Sequence, residues 1–271
     1  MIWCLHGFLG KGSDWKFLAD ELSRAGLETS APDLLAESFE PVSMSEWATG
    51  FVEQIAQIPD TSRVLVGYSM GGRLAIHALL AAPELFSRAV IVSGGVGIEG
   101  DLARAERIAA DERWAERFEH EAWSEVIEAW NDQEVFRTSG TREHSSRADG
   151  GETLTRRSTR HPLPRGEGGT VRGEGGRVRG EGEFSREALG VALRCWSPAA
   201  HEPLHSRLPS IRSTLLWVAG ELDGQYVDVG RRAVRQIPNA RLKTIEGAGH
   251  RVMFDQPERF AEVVREFLTA E

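Results

Sequence analysis

The sequence is poor in cysteine and in long apolar runs, and each shortage excludes a class of protein. Its 271 residues include two cysteines, Cys4 and Cys195, which allow at most one disulfide and give no zinc-ligand spacing. No stretch approaches ~18 uninterrupted apolar residues, so we expect no membrane-spanning helix. The N-terminus has neither the basic patch nor the apolar run of a signal peptide. We therefore expect a cytoplasmic protein with reduced thiols.

Basic residues are also in short supply relative to acidic ones. The formal net charge of −9 argues against a nucleic-acid surface, because phosphate binding needs a basic footing. An anionic small molecule would have to be held by a few placed arginines rather than by the overall field. The hydrophobic share of 41% is ordinary for a globular protein with a sizeable core. We expect neither a metal nor a cofactor, and the sequence does not decide between a monomer and an oligomer.

One segment, residues 140–183, differs in composition from the rest of the chain. It contains nine arginines, seven acidic residues and eleven of the 29 glycines, and a unit that begins Arg-Gly-Glu-Gly recurs every seven residues from Arg165. We interpret it as a disordered, low-complexity insertion, because its few apolar side chains cannot offset the entropy of ordering so many glycines. An RNA-binding Arg-Gly tract is the alternative, but the segment lacks aromatic residues for stacking and is nearly charge-balanced.

The remaining sequence alternates between short apolar runs and amphipathic stretches. The apolar runs predict buried parallel strands at 2–5, 63–67, 88–93, 214–219 and 241–245. The amphipathic stretches predict helices at 15–24, 44–58, 71–82 and 257–269. This alternation predicts a single α/β domain over residues 1–271, with a mostly parallel sheet covered by helices on both faces. Residues 97–200 show helical patterns and no strand before the insertion, so we expect a helical cap there.

The run 67–71 has the form Gly-x-Ser-x-Gly and lies between a predicted strand and a predicted helix. Glycines at these positions permit a tight turn that presents the serine oxygen above the sheet edge, with the helix N-terminus facing a developing oxyanion. We predict that Ser69 is an activated serine; a plain glycine-rich turn is the alternative. The backbone amides of Met70 and of Phe8, in the His-Gly loop after the first strand, would be the oxyanion donors.

An activated serine needs a histidine as base and an acid that orients it, in the chain order serine, acid, histidine. Asp223 and His250 each follow a predicted strand, at the edge where open α/β sheets place their ligand sites. Glu221 and Asp228 are competing acids in the same region of the chain. His6 directly precedes the oxyanion loop, and we interpret it as structural.

Arg73 lies four residues after Ser69, on the same side of the predicted helix. A neutral ester would gain nothing from a guanidinium there, and burying that charge without an anion is costly. A carboxylate-bearing substrate would supply a bidentate partner. A salt bridge to a helical acid is the alternative.

Several motifs taken together resemble one enzyme family. They are the His-Gly loop at 5–10, Asp14-Trp15, Gly-Tyr-Ser-Met-Gly-Gly-Arg at 67–73, an Ala-Glu-Arg helix at 105–111 with Trp114, Trp130 with Gln133 and Phe136, and Gly-Ala-Gly-His at 247–250. The chain resembles the 2-succinyl-6-hydroxy-2,4-cyclohexadiene-1-carboxylate synthases, which are menaquinone-pathway lyases with an α/β-hydrolase fold. The resemblance covers nearly the whole chain except the insertion.

The resemblance implies that pyruvate is eliminated from 2-succinyl-5-enolpyruvyl-6-hydroxy-3-cyclohexene-1-carboxylate, a small molecule with several carboxylates. Ser69 would be the base that removes a ring proton, supported by His250 and Asp223. The resemblance also implies four residues that contact the substrate, namely Tyr68, Arg73, Arg107 and Trp130.

The chain departs from the family's pattern in several places, three of which bear on the sheet, the histidine loop and the cap. It begins directly at the strand before the His-Gly loop, where the family has two more strands, so we expect a sheet that is shorter at one edge. Arg251 follows the catalytic histidine in place of the usual asparagine. The insertion interrupts the cap where the family has a further arginine. The residues alone also allow a serine esterase or carbon–carbon hydrolase with an acyl intermediate, or a non-catalytic binding protein of this fold.

Overall fold

A sheet of six parallel strands forms the centre of the computed structural model. Residues 1–36, 42–59, 62–137 and 180–270 are described, together with the backbone of 171–172 and 178–179. The strands within these ranges are β1 Ile2–Leu5, β2 Thr29–Ser30, β3 Val64–Tyr68, β4 Arg88–Val92, β5 Val171–Arg172, β6 Val178–Arg179, β7 Thr214–Gly220 and β8 Ala240–Ile245. The parallel sheet has the order β2-β1-β3-β4-β7-β8. All its carboxyl ends therefore meet at one edge.

The central strands are apolar throughout because both of their faces are covered. In β3, Leu65 packs into the core on one face of the sheet, whereas Val64 and Val66 pack into the core on the other. This alternation is the two-residue period of a strand. Val66 lies opposite Val90 of β4 in the parallel register. The predicted parallel sheet is confirmed.

Helices cover both faces of the sheet. One face carries α1 (Lys16–Arg24), α9 (Val252–Asp255) and α10 (Pro257–Thr269). The opposite face carries α2 (Met44–Ala56), α3 (Met70–Ala81) and α8 (Gly224–Val234). Across the described ranges, no helix is both long enough and apolar enough to cross a bilayer.

The described residues of the predicted helical cap form four helices between β4 and β7. They are α4 (Asp101–His120), α5 (Trp123–Asn131), α6 (Glu134–Arg137) and α7 (Arg186–Cys195). Trp123 and Trp130 are buried in the core that the cap shares with α3. The two ends of the cap are adjacent, since the Leu204 amide donates to the Val96 carbonyl oxygen at 2.8 Å.

The predicted insertion, residues 140–183, lies mostly outside the described residues. Within it, β5 pairs antiparallel with β6, and residues 181–183 form a 3₁₀ turn. The composition predicts no strand in this segment, because it shows only that few apolar side chains could be buried. A pair of two-residue strands is held by backbone hydrogen bonds, which composition does not reveal. Phe184 follows the insertion and stacks on Trp123 of the cap, with ring centroids 6.2 Å apart.

Candidate active site

Ser69 lies at the tight turn between β3 and α3. Its backbone has φ +50° and ψ −109°, a conformation that residues with side chains rarely adopt, and its amide donates to the Val92 carbonyl oxygen at 2.9 Å. Glycine is required two residues before Ser69 and two residues after it. A Cβ at Gly71 would lie 2.2 Å from the Leu5 carbonyl oxygen, and one at Gly67 would lie 2.4 Å from the carbonyl oxygen of Gly71. The turn has the geometry of a nucleophile elbow.

Ser69, His250 and Asp223 meet above the carboxyl edge of the sheet. His250 Nε2 lies 3.2 Å from Ser69 Oγ, and His250 Nδ1 lies 2.8 Å from Asp223 Oδ2. When Nδ1–H donates to the carboxylate, Nε2 becomes the acceptor for the serine hydroxyl. Ser69, Asp223 and His250 are 8%, 7% and 2% exposed, so bulk water screens these interactions little. The three predicted residues have the arrangement that general-base activation requires.

The position of Asp223 at the start of α8 distinguishes it from the competing acids. Its Oδ1 caps the helix by accepting the Tyr226 amide at 3.3 Å, which leaves Oδ2 for the histidine. Glu221 instead accepts the Gly247 amide at 3.1 Å. Asp228 forms an exposed ion pair along α8. Asp223 is therefore the acid of this loop that contacts His250.

Aromatic rings surround the His250 imidazole. The ring centroids of Tyr226, Phe136 and Tyr68 lie 4.4, 5.7 and 5.9 Å from that of His250. Tyr226 comes from α8, Phe136 from the cap and Tyr68 from the sheet, so three layers of the fold hold one imidazole. This packing limits its rotation and keeps both ring nitrogens directed at their partners.

The predicted oxyanion amides belong to Phe8 and Met70. Met70 is the first residue of α3, where backbone N–H groups have no acceptor within the helix. Phe8 lies in the turn after β1, and both residues line the cavity above Ser69. His6 fixes this turn, because its Nδ1 donates to the Gly7 carbonyl oxygen at 2.7 Å and its Nε2 accepts the Leu34 amide at 2.8 Å. His6 therefore has the structural role that the sequence predicts.

A cavity of about 140 Å³ opens onto Ser69 and His250 between the sheet edge and the cap. Three of the four predicted substrate contacts, Arg73, Arg107 and Trp130, line it. The sequence reasoning assigned no role to several further lining residues. These are Asp111, Gln133, Val135, Phe136, Ala192, Leu193, Trp196, Ser197, Gln225 and Tyr226. Gln133 and Phe136 belong to the motifs of the resemblance, whereas Trp196 and Ser197 carry no periodic or motif signal.

Tyr68 is the predicted substrate contact that lies elsewhere. It is 2% exposed and packs in the core beneath α9 and α10, with its ring 6.2 Å from that of Phe254. Tyr68 is the last residue of β3 and packs on the sheet face that α9 and α10 cover, whereas Ser69, in the turn that follows, lines the cavity. The structure places Tyr68 behind His250, where its ring packs on the imidazole, and not on the cavity wall.

The guanidinium of Arg73 is held at the cavity wall from the cap side. Its Nη2 donates to the carbonyl oxygen of Trp196 at 2.8 Å. This contact fixes the side chain at the wall of the cavity that Arg73 lines. Position on α3 and orientation by the cap together direct a cation at the space above Ser69.

Arg107 contributes a second cation from α4. Its Nε donates to Asp111 Oδ2 at 2.8 Å, and 40% of the arginine side chain is exposed. Trp130 forms the adjoining wall, with its ring 4.8 Å from that of Phe8 and 4.9 Å from that of Trp114. The cavity thus combines a hydroxyl–imidazole pair, two guanidinium groups and an aromatic wall.

A larger opening of about 500 Å³ lies away from this site, between the β1 edge of the sheet and α2. Trp3, Trp47 and Phe51 line it, and none of the three catalytic candidates does. Among the described residues, no group of three or more His, Cys, Asp or Glu side chains is arranged to hold a metal ion.

Curated relatives carry the name that the motifs suggest. The chain is 27% identical over 279 residues to a 2-succinyl-6-hydroxy-2,4-cyclohexadiene-1-carboxylate synthase of Yersinia enterocolitica, covering 99% of this chain and 86% of the relative. It is 26% identical over 272 residues to a synthase of the same name from Salmonella newport, covering 97% and 92%. The resemblance seen in the motifs is confirmed by these relatives.

Solved structures and the family comparison agree on the fold. MenH from S. aureus superposes with a TM-score of 0.78 at 20% identity, covering 98% of this chain and 92% of that chain. A thermophilic esterase from Thermogutta terrifontis, with malate bound, gives a TM-score of 0.69 at 21% identity and covers 98% and 88%. Residues 4–263 match the model of the alpha/beta hydrolase family, to which this chain belongs.

Proposed function

We propose that this protein is a lyase that eliminates pyruvate from 2-succinyl-5-enolpyruvyl-6-hydroxy-3-cyclohexene-1-carboxylate, giving 2-succinyl-6-hydroxy-2,4-cyclohexadiene-1-carboxylate in menaquinone biosynthesis. The observation that carries this proposal is the presence of two guanidinium groups, from Arg73 and Arg107, in the same cavity as the serine. A hydrolase of neutral esters has no use for two cations there. A substrate with several carboxylates supplies an anionic partner for each. The relatives named as synthases of this compound support the same reaction.

The chemistry follows from the hydrogen bonds around Ser69. Ser69 Oγ removes the ring proton next to the succinyl carbonyl, while its own proton passes to His250 Nε2, 3.2 Å away. Asp223 stabilises the imidazolium that forms. The electron pair of the broken C–H bond moves onto the carbonyl oxygen, where the amides of Phe8 and Met70 stabilise the enolate.

Collapse of this enolate completes the elimination. The electron pair returns to form a double bond between ring carbons C2 and C3, the existing C3–C4 double bond moves to C4–C5, and the C5–O bond to the enolpyruvyl group breaks. The departing enolate of pyruvate takes up a proton and becomes pyruvate, so that atoms and charge balance without an oxidant or a second substrate. His250, protonated in the first step, is the nearest acid, and returning its proton restores the starting state of the site.

Release of pyruvate tests this function directly. The enzyme is mixed with the candidate substrate, and pyruvate is followed with lactate dehydrogenase and NADH. We expect turnover by the wild type and loss of about 10³-fold or more in kcat for Ser69→Ala. A wild-type protein that releases no pyruvate from this substrate contradicts the proposal.

A serine hydrolase is the second candidate, because the same Ser69–His250 pair and amides would support acyl transfer. The structural similarity to the Thermogutta terrifontis esterase agrees with this alternative at the level of the fold. A burst of product from an activated neutral ester, with an acyl group retained on Ser69, would favour it. A fluorophosphonate probe that labels the wild type but not His250→Ala would exclude a binding protein without catalytic function.

The proposed partner is therefore a small, multiply carboxylated molecule rather than a nucleic acid. Because this substrate is a polar metabolite, we place the reaction in the cytoplasm. Cell fractionation followed by the pyruvate assay tests that location, and activity confined to another fraction would contradict it.

A further inference from the structure

The two arginines of the cavity are held by adjacent residues of one loop, residues 196–197, which follows α7. The Trp196 carbonyl oxygen accepts from Arg73 Nη2 at 2.8 Å. The next residue, Ser197, donates its hydroxyl to Asp111 Oδ2 at 2.5 Å, and the same oxygen accepts from Arg107 Nε at 2.8 Å. Trp196 thus holds Arg73 of α3 directly, and the adjoining Ser197 is linked to Arg107 of α4 through Asp111.

Asp111 is an unusual residue for this place. It is 3% exposed and lines the cavity, yet the proposed substrate is an anion that a carboxylate repels. A buried carboxylate also carries a desolvation cost unless it is well hydrogen-bonded. Charge alone would therefore make Asp111 unfavourable for both stability and substrate binding.

The geometry of the contact gives Asp111 a different use. Its bond to Arg107 engages Nε and not the terminal nitrogens of the guanidinium. The two Nη groups are then left to a substrate carboxylate, with the plane of the guanidinium fixed in advance. A long, rotatable side chain that is oriented before binding loses less entropy when the ligand arrives.

The loop itself is fastened on several sides. Trp196 donates its indole Nε1–H to the Val42 carbonyl oxygen at 3.0 Å. Ser197 Oγ accepts the Ala199 amide at 2.9 Å, and it is 4% exposed. Because the loop is rigid, a bond at Ser197 and a bond at the Trp196 carbonyl set the two guanidinium groups at a defined separation.

We propose that Asp111 and Ser197 are positioning residues that hold Arg107 in a fixed place beside Arg73, so that the two guanidinium groups form a preformed pair, which selects a ligand with two carboxylates over a ligand with one. This inference rests on the proposed function for the identity of the substrate. In this role Asp111 favours the binding of an anionic substrate, although its own negative charge repels that substrate.

The two roles predict effects of opposite sign, which makes the test decisive. Asp111→Ala removes the charge and both acceptor contacts, whereas Asp111→Asn removes the charge and keeps an acceptor oxygen for Arg107 and Ser197. A positioning role predicts that Ala raises KM about tenfold or more, with a smaller change in kcat, and that Asn lies between Ala and the wild type. A role through charge alone predicts that both variants lower KM, and that result overturns the proposal.

Ser197 supplies a second variant that leaves the buried charge intact. We expect Ser197→Ala to raise KM about three- to tenfold and Ser197→Thr, which keeps the hydroxyl, to restore it. In a double-mutant cycle, Arg107→Ala and Asp111→Ala together should be little worse than Arg107→Ala alone. Independent, additive effects on KM would overturn the proposal, and thermal melting of each variant checks that it folds.

Binding of simple acids separates this inference from the proposed reaction. Calorimetry with succinate and with butyrate compares two carboxylates with one on a similar carbon chain. We expect the wild type to bind succinate at least about tenfold more tightly, and Asp111→Ala to lose most of that ratio. If no pyruvate is released but the ratio behaves as stated, the proposed function fails and the inference stands. If the wild type binds both acids alike, the inference fails whatever the reaction.

Discussion

At the scale of single residues, two acids of one loop give a matched test of the catalytic assignment. Asp223 accepts a hydrogen bond from His250, whereas Glu221 accepts one from the backbone amide of Gly247. We expect Asp223→Asn to lower kcat about 10³- to 10⁴-fold, because the imidazole loses its orientation and the stabilisation of its charged form. Glu221→Gln should stay within about twofold of the wild type, and equal losses in the two variants would contradict the assignment.

His77 provides a prediction about stability against pH. Burial lowers the pKa of His77 to about 3, helped by the neighbouring charges of His201, Arg207 and Arg73. Its ordinary pKa is 6.5, so between these values the unfolded chain binds a proton that the folded protein does not. The contribution of His77 to stability is therefore complete above pH 6.5 and is lost as the pH falls toward 3.

Urea unfolding at several pH values measures this effect. We expect a loss of up to about 2 kcal/mol in the free energy of unfolding between pH 7.5 and pH 5 that disappears in His77→Gln. His120 on α4 is the matched control, because its side chain is 77% exposed and His120→Gln should leave the slope unchanged. A slope that is the same in wild type and His77→Gln would contradict the prediction.

The sequence could identify the residues of the candidate site whose chemistry depends on spacing. Gly-x-Ser-x-Gly and the strand-end positions of Asp223 and His250 locate those residues, because parallel strands bring their carboxyl ends to one edge. Asp111 and Ser197 could not be found in this way, since their hydrogen bond joins α4 to a loop 86 positions later in the chain. Tyr68 shows a second limit of prediction from the sequence. It is adjacent to Ser69 in the sequence, yet its side chain does not line the cavity.

At the scale of elements, Arg251 links the loop that carries His250 to the cap. Its guanidinium lies 4.2 Å from the centroid of the Phe136 ring, and its Nη2 donates to Asn131 Oδ1 at 2.5 Å. Phe136 in turn packs on His250, so loss of Arg251 should loosen α6 over the imidazole. We expect Arg251→Ala to lower kcat about fivefold and to speed amide hydrogen exchange in residues 131–137.

A second arginine of the same region is the control for this prediction. Arg137 forms an exposed ion pair with Asp132 within the cap, with 64% of its side chain in solvent. Surface pairs of this kind contribute little, so Arg137→Ala should change neither kcat nor exchange. Similar changes in both variants would mean that the cap is sensitive to any lost charge, and would contradict a specific role for Arg251.

The elements with a strong apolar period are the ones that the sequence predicts. The strands β1, β3, β4, β7 and β8 and the helices α1, α2, α3 and α10 follow their predicted ranges within about two residues. The helix α8 was missed because it opens with Gly224 and relies on the Asp223 cap. The edge strand β2 has two residues, too few for a period, and depends on its partner β1.

At the scale of the whole molecule, the insertion gives a test of how the fold tolerates added chain. Its composition favours no packed core, whereas its last residue and the residue that follows it do contact the rest of the protein. Phe184 stacks on Trp123, and Glu183 lies 3.8 Å from Lys11 in the loop after β1. We expect replacement of residues 140–179 by a Gly-Ser linker of about ten residues to leave kcat/KM within about twofold.

The matched control extends the same replacement through residue 184, which removes the stacking ring as well as the insertion. That variant should melt at a lower temperature, by several degrees, because a buried aromatic side chain is lost from the cap. A large loss of activity in the shorter replacement, with the melting temperature retained, would show that the insertion takes part in the reaction and would contradict the interpretation of it as passive chain.

The hydrogen bond between the Leu204 amide and the Val96 carbonyl oxygen, 2.8 Å long, brings the beginning and the end of the cap side by side. A unit whose two ends nearly touch can be exchanged for another without respacing the scaffold below it. In proteins assembled this way, the ligand contacts made by the cap can change while the residues at the carboxyl edge of the sheet keep their positions. Exchanging the cap between relatives, with junctions at residues 97 and 203, should therefore change ligand preference without altering the sheet.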